Sequence, residues 1–141
     1  MNKITLLLAT LTLAALALTA CATKTETPTL SGTSWKLTSY GEVEAQTPAA
    51  DGIDTRVDFG SDGNVSGTMG CNRFSGSYTQ QDGQITFGPL MATKMACPDL
   101  PMTQESVAFG VLVGTVRTEW TQNQLSIYSE DGKMMILLEP N

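Results

Sequence analysis

The sequence predicts an α+β domain: a compact antiparallel sheet or open barrel of about seven short strands, with one covering helix. Apolar and polar residues alternate over most of the chain after Leu30, the period of half-buried strands. Turn pairs such as Asp62-Gly63, Asp82-Gly83 and Asp131-Gly132 cut those runs into short segments. One stretch, from Met102 to about Val116, breaks the alternation with apolar residues at helical spacing. Strands, one helix, then strands is an α+β order.

The 141 residues hold one domain and a targeting segment. Lys3 supplies a positive charge, and Ile4 to Ala20 carries no charged side chain. The run ends in Leu18, Thr19, Ala20 and Cys21, small residues before a cysteine, which make a lipobox. Residues 1–20 are therefore expected to be a lipoprotein signal peptide, in preference to an uncleaved span. Cys21 is the expected lipidation site, carrying a diacylglyceryl thioether and an amide-linked acyl group such as palmitate. Two such signals give stable anchoring. Ala22, by resemblance to the lipoprotein sorting rule of double-membraned bacteria, implies the inner leaflet of the outer membrane, facing the periplasm.

Residues 21–29 have no apolar period and read as a flexible tether, about 30 Å at full extension. Residues 30–141 form the domain. Removing Lys3 with the leader leaves 7 basic against 14 acidic side chains, scattered without blocks. This acidic balance excludes nucleic acid and anionic headgroups as natural partners.

Thr33 to Tyr40 alternates with Trp35 and Leu37 on one face. Gly41 to Gly52 reads as a long, exposed polar loop. Thr55 to Phe59 and Asn64 to Met69 flank the turn Gly60 to Gly63. Phe74 to Thr79 and Gln84 to Phe87 flank Gln81, Asp82 and Gly83. Phe109, Leu112, Val113 and Val116 then fall at i, i+3, i+4 and i+7, one apolar helical face. Thr103 is the expected N-cap, and Glu105 is expected in the first turn, where the dipole favours a carboxylate. Arg117 to Thr121, Gln124 to Ser129 and Met134 to Glu139 return to strand, with Leu125 and Ile127 inward and Met135 and Leu137 likewise.

Two cysteines remain in the exported domain, Cys71 and Cys97. An even pair in an oxidising compartment is expected to form a disulfide. It would close a loop of 27 residues, worth about 3–4 kcal/mol by the loop-entropy estimate. A redox-active pair is the alternative, with Lys94 the one nearby cation. Gly70 and Gly76 frame the first cysteine and predict a bulge or turn needing positive φ, with Asn72 bonding its own backbone. Arg73 reads as a brace or an ion-pair partner.

This central stretch resembles the META/HslJ-like domain family of small bacterial envelope lipoproteins. The likeness lies in Gly70, Cys71, Asn72, Phe74, Gly76 and Tyr78, then Ile85, Phe87 and Leu90, then Thr93, Met95, Cys97 and Pro98. An early Trp35-x-Leu37 strand and the helix before a terminal hairpin add to it. The resemblance implies a compact α+β domain and links to the stress response, antibiotic tolerance and envelope or secretion phenotypes. It implies no reaction and transfers no role to Arg73 or Lys94.

The sequence has no histidine, which removes the commonest general base. Asp54 and Asp58 share a strand face with Arg56 and read as solvated surface. No phosphate loop and no thiolate cluster suited to zinc is present. Met91, Met95, Met102, Met134 and Met135 offer thioethers to Cu(I) but read as core filler. No enzyme, metal or cofactor is expected. The expected function is a membrane-tethered binding or assembly module of the envelope, monomeric, with an unidentified envelope protein as partner. The alternative is a periplasmic inhibitor of an envelope hydrolase, inserting the Gly70 to Gly76 loop into an active site.

Overall fold

The computed structural model describes residues 28–141. The expected leader at 1–20, Cys21 and most of the tether lie outside the described residues. The elements are β1 (Thr33–Glu42), β2 (Ala45–Pro48), β3 (Arg56–Phe59), β4 (Asn64–Thr68), β5 (Arg73–Gln81), β6 (Gln84–Phe87), β7 (Met91–Ala92), α1 (Asp99–Val111), β8 (Gly114–Trp120), β9 (Leu125–Tyr128) and β10 (Met134–Pro140).

Each alternating run forms an antiparallel strand, and the sheet then closes on itself. Pairing of β10 with β1, Lys36 opposite Glu139 and Tyr40 opposite Ile136, joins the last strand to the first. The closed barrel uses β1, β3, β4, β5, β6, β8, β9 and β10; β2 and β7 extend it beside β1 and β5. The α+β class thus holds, but the barrel is closed, not open, and has more strands than expected. Closure needs a pairing between the two ends of the domain, which no local pattern announces.

Inward residues fill the interior. Leu37, Val57, Val65, Ile85, Val116, Ile127 and Ile136 are fully buried, one from each of seven barrel strands, and Phe74 and Tyr78 fill in from β5. A bulge at Thr38 shifts the β1 register, so Leu37 and Tyr40 face inward although three residues apart.

Four details differ from the sequence reading. The expected polar loop at 41–52 contains the rest of β1 and all of β2, whose Gln46 donates to Glu42 O at 2.7 Å; its lack of alternation follows from a mostly exposed strand. On β10 the core residues are Ile136 and Leu138, while Leu137 is half-buried and Met135 lies outside the main core cluster. Neither Gly70 nor Gly76 has positive φ. The helix is displaced: it starts after Pro98 with no side-chain cap and buries Gln104, Glu105, Ala108 and Val111. Pro101 is tolerated in the first turn, where amides lack helical partners. At the other end Gly114, at φ 67°, turns the backbone into β8, so Val116 is a strand residue and Val113 is exposed.

The barrel has two unlike poles, and β5 runs between them. Near its end, Gln80 accepts from Leu30 N–H (2.8 Å) and donates to Pro28 O (2.7 Å); Asn141 N–H bonds Ser34 O close by. The first and last described residues therefore sit together at this terminal pole. The start of β5 meets α1, with Phe74 edge-to-face on Phe109, centroids 5.5 Å apart. Ala108, Val111 and Leu112 of this helix pole enter the core.

Candidate functional site: a trough at the helix pole

The helix pole is organised by a buried polar clamp. Glu105, nearly fully buried on α1, accepts from Cys71 N–H at 2.9 Å, from Asn72 N–H, and from Asn72 Nδ2 at 2.7 Å. Asn72 Oδ1 in turn accepts from Thr93 Oγ1 at 2.8 Å and Met95 N–H at 2.7 Å. One buried amide thus ties the helix to the segment after β7. A buried carboxylate is costly unless paired or bonded, and three N–H donors supply the compensation here. Beside it, Gln104 accepts from Ala50 N–H at 2.7 Å and donates to Met69 O at 2.6 Å.

The expected disulfide is present: Cys71 and Cys97 are bonded, with Cα atoms 6.0 Å apart. It fastens the segment carrying Asn72 to the same post-β7 segment that Asn72 Oδ1 holds. The glycines serve close approach. A Cβ on Gly70 would lie 2.2 Å from Pro101 O, and one on Gly76 2.5 Å from Leu90 Cδ2. Pro98 stands at the helix N-cap position. These motif residues, with Phe74 and Met95, come together around the clamp. Tyr78 does not; its hydroxyl donates to Gly60 O at 2.9 Å and its ring meets Phe59, towards the terminal pole.

Glu105, Gln104 and Thr93 escaped sequence reasoning as a set. Glu105 does lie near the helix start, but it points inward to amides more than thirty positions away in sequence. The usable signal was its helical spacing from Ala108. Asn72 reaches across elements and does not bond its own backbone. Arg73 is exposed, and among the described residues its side chain braces nothing; the ion pairs there are Arg56–Asp58 (2.8 Å) and Arg117–Glu119.

Outside the clamp lies an apolar trough. Below it β6 and β8 pair up to Phe87 opposite Gly114. Beyond that pair the wall splits, with residues 88–96 on one bank and α1 on the other. One part, about 460 Å³, is lined by Phe87, Pro89, Leu90, Phe109, Leu112 and Val113 among others. A second part shares Leu90, Ala92 and Phe109 and adds Lys94, Met95 and Met102. The large apolar side chains exposed among the described residues are Met91, Met95, Leu100, Met102 and Val113, 38–71% accessible. All five belong to this pole, from β7 to the residues just after α1. The thioethers expected in the core are therefore largely on the surface here, while Met134 and Met135 pack in.

The profile of the META domain matches residues 28–141. The protein belongs to the META domain family. No curated protein matches it at a significant level. Among solved structures, an NMR structure of a protein from Burkholderia xenovorans is 24% identical with a TM-score of 0.67, covering 79% of this chain and 83% of that one. A second NMR structure is 23% identical with a TM-score of 0.59, over 75% and 87% of the two proteins. A crystal structure of a DUF4847 family protein from Bacteroides vulgatus is 13% identical with a TM-score of 0.54, over 78% and 93%. These likenesses establish the fold.

Proposed function

We propose that this META domain is a non-catalytic binding module, lipid-anchored at Cys21 in the cell envelope, that holds another envelope protein at its helix pole. The observation that carries the reading is the gathering of exposed large apolar residues at one pole, opposite Pro28, with Met95, Met102 and Val113 lining its trough. Contiguous exposed apolar surface marks interaction sites. A tether leaving from the terminal pole would keep that pole near the membrane and turn the trough towards the periplasm. Assembly or stress-tolerance work in the envelope fits such a module.

The inhibitor reading has less behind it. The segment Gly70 to Gly76 contains buried Asn72 and Phe74 and is held under α1 by Glu105, which leaves little of it to enter an active site.

Two measurements test the proposal. Replacing Cys21 with Ser is expected to abolish acyl addition by intact mass and to move the protein out of the membrane fraction. Photo-crosslinking residues installed at Val113 or Met102 in cells are expected to give a discrete adduct, and one at Asp82, on the terminal pole, none. Equal labelling from both poles, or none from the trough, overturns the reading.

A further inference from the structure

The trough has a backbone edge as well as an apolar lining. β7 pairs with β5 on one side only. Thr93 N–H donates to Arg73 O at 3.0 Å, so antiparallel alternation turns the N–H and C=O of Ala92 away from β5. They face the gap where Phe87, Val113 and Gly114 line the opposite side. A fatty acyl group would leave those polar groups unpaired. An extended peptide satisfies them and sends alternate side chains onto the partly exposed Leu90 and Phe109.

The dimensions agree. From Met102 to Val111 the helical bank runs roughly 14 Å at 1.5 Å per residue, which an extended segment of about five residues spans.

Charge narrows the occupant further. Two ionic groups line the trough, Lys94 and Glu105. Glu105 is saturated by amide donors, whereas Lys94 is exposed and makes no ion pair among the described residues. A second copy of this acidic protein would approach against like charge.

We propose that the trough binds an extended apolar peptide of about five residues, adding as a strand to the free edge of β7, with a carboxylate opposite Lys94. This rests on the reading of the helix pole as the binding face and names the class of partner segment. The carboxylate is either an acidic side chain or the free C-terminus of the partner polypeptide.

The test uses the full-length protein in detergent micelles and three acetylated pentapeptides rich in Val and Phe. One ends in an amidated Asp, one in Phe with a free carboxylate, and one in amidated Phe. Expected are amide shifts in NMR spectra centred on Ala92, Leu90 and Val113. N-methylation of the central peptide residue should weaken binding about 10-fold, the scale of one lost backbone hydrogen bond. Lys94→Gln should weaken the carboxylate peptides about 3-fold, as for a solvent-exposed pair, and leave the neutral one unchanged. Preference between the first two peptides identifies the carboxylate's source.

Equal affinity after N-methylation, displacement of the peptides by palmitate, or shifts confined to other surfaces overturns the proposal, as does the absence of shifts at millimolar peptide. Those results with crosslinking from Val113 intact would remove the peptide class and leave the binding face standing. Loss of the crosslink as well removes both.

Discussion

At the terminal pole, fully buried Leu30 and the edge-to-face pair Trp35–Trp120, 5.5 Å between centroids, fill the barrel mouth. The hydrogen bonds there join uncharged groups: Trp35 Nε1 to Thr33 Oγ1 at 2.7 Å, Tyr78 hydroxyl to Gly60 O, and the Gln80 amide to Leu30 N–H and Pro28 O. At the helix pole, closure falls to a buried carboxylate, a buried amide and a disulfide joining three separate segments of the sequence. An apolar plug tolerates slight misplacement, because dispersion and desolvation are non-directional. A hydrogen-bonded clamp holds its parts at fixed distances. Rigidity is therefore concentrated beside the trough, whose two banks are the parts that the clamp and the disulfide hold together.

The sharpest way to break this contrast is at Glu105. Glu105→Ala strands three N–H donors in a buried site and is expected to destabilise by about 3–5 kcal/mol, the usual cost of breaking a buried charged network. Glu105→Gln should cost less, about 1–3 kcal/mol. Its amide can accept from the two backbone N–H groups or from Asn72 Nδ2, but not both, since Asn72 Oδ1 is already committed to Thr93 and Met95. Urea denaturation checks the ranking. Equal costs for Ala and Gln would mean that the carboxylate is not the organising group.

Next in size is the disulfide. Reduction, or Cys71→Ala with Cys97→Ala, is expected to cost about 3–4 kcal/mol and to act locally first. Hydrogen exchange should rise at Met95 N–H and Thr93 N–H, while Leu30 N–H at the other pole keeps its protection. Uniform loss across the barrel would show that the poles are not separately braced.

At the terminal pole, Leu30→Ala is expected to cost about 2–3 kcal/mol, the low end for a core leucine, because a residue preceding the first strand can partly collapse into the space. Its effect on peptide binding at the trough should be small. If Leu30→Ala weakens the trough as much as Glu105→Ala does, the two poles act as one unit.

How much of this was legible follows from how far apart the interacting residues are. Trp35, Leu37, Val57, Phe59 and Ile85 sit inward as alternation requires, and turns at Asp62-Gly63 and Asp82-Gly83 fall where such pairs place them. The pairing of Cys71 with Cys97 was legible from their number and setting. Closure of β1 on β10 was not, because it joins residues about a hundred positions apart. The helix starts and ends earlier than its apolar spacing predicts, for a physical reason. Half of its buried positions are Gln104 and Glu105, polar residues that an apolar count assigns to solvent, and Val116 continues the apparent period into β8. The trough was invisible because its lining comes from two segments whose separation only the split wall reveals.

The smallest expected effect lies on the barrel's outer face, between the poles. Tyr128 hydroxyl donates to Glu119 at 2.7 Å, and the Arg117 guanidinium lies 3.8 Å over the Tyr128 ring while pairing with Glu119. Burial and then the Glu119 bond raise the Tyr128 pKa above its usual 10.0, and the Tyr128 bond, followed by Arg117, lowers that of Glu119. A tyrosine with a raised folded pKa binds its proton more tightly in the folded state. Its contribution is complete below the unfolded value and fades as pH climbs through 10. Glu119, with a lowered folded pKa, contributes above its unfolded value and loses that as pH falls through the acidic range. Tyr128→Phe is therefore expected to flatten the alkaline limb of a Tm-against-pH curve. By removing the bond to Glu119 it should also soften the acid limb, leaving exchange at Met95 N–H unchanged. A change at Met95 would couple this outer cluster to the clamp, and the helix pole would then extend further round the barrel than its hydrogen bonds reach.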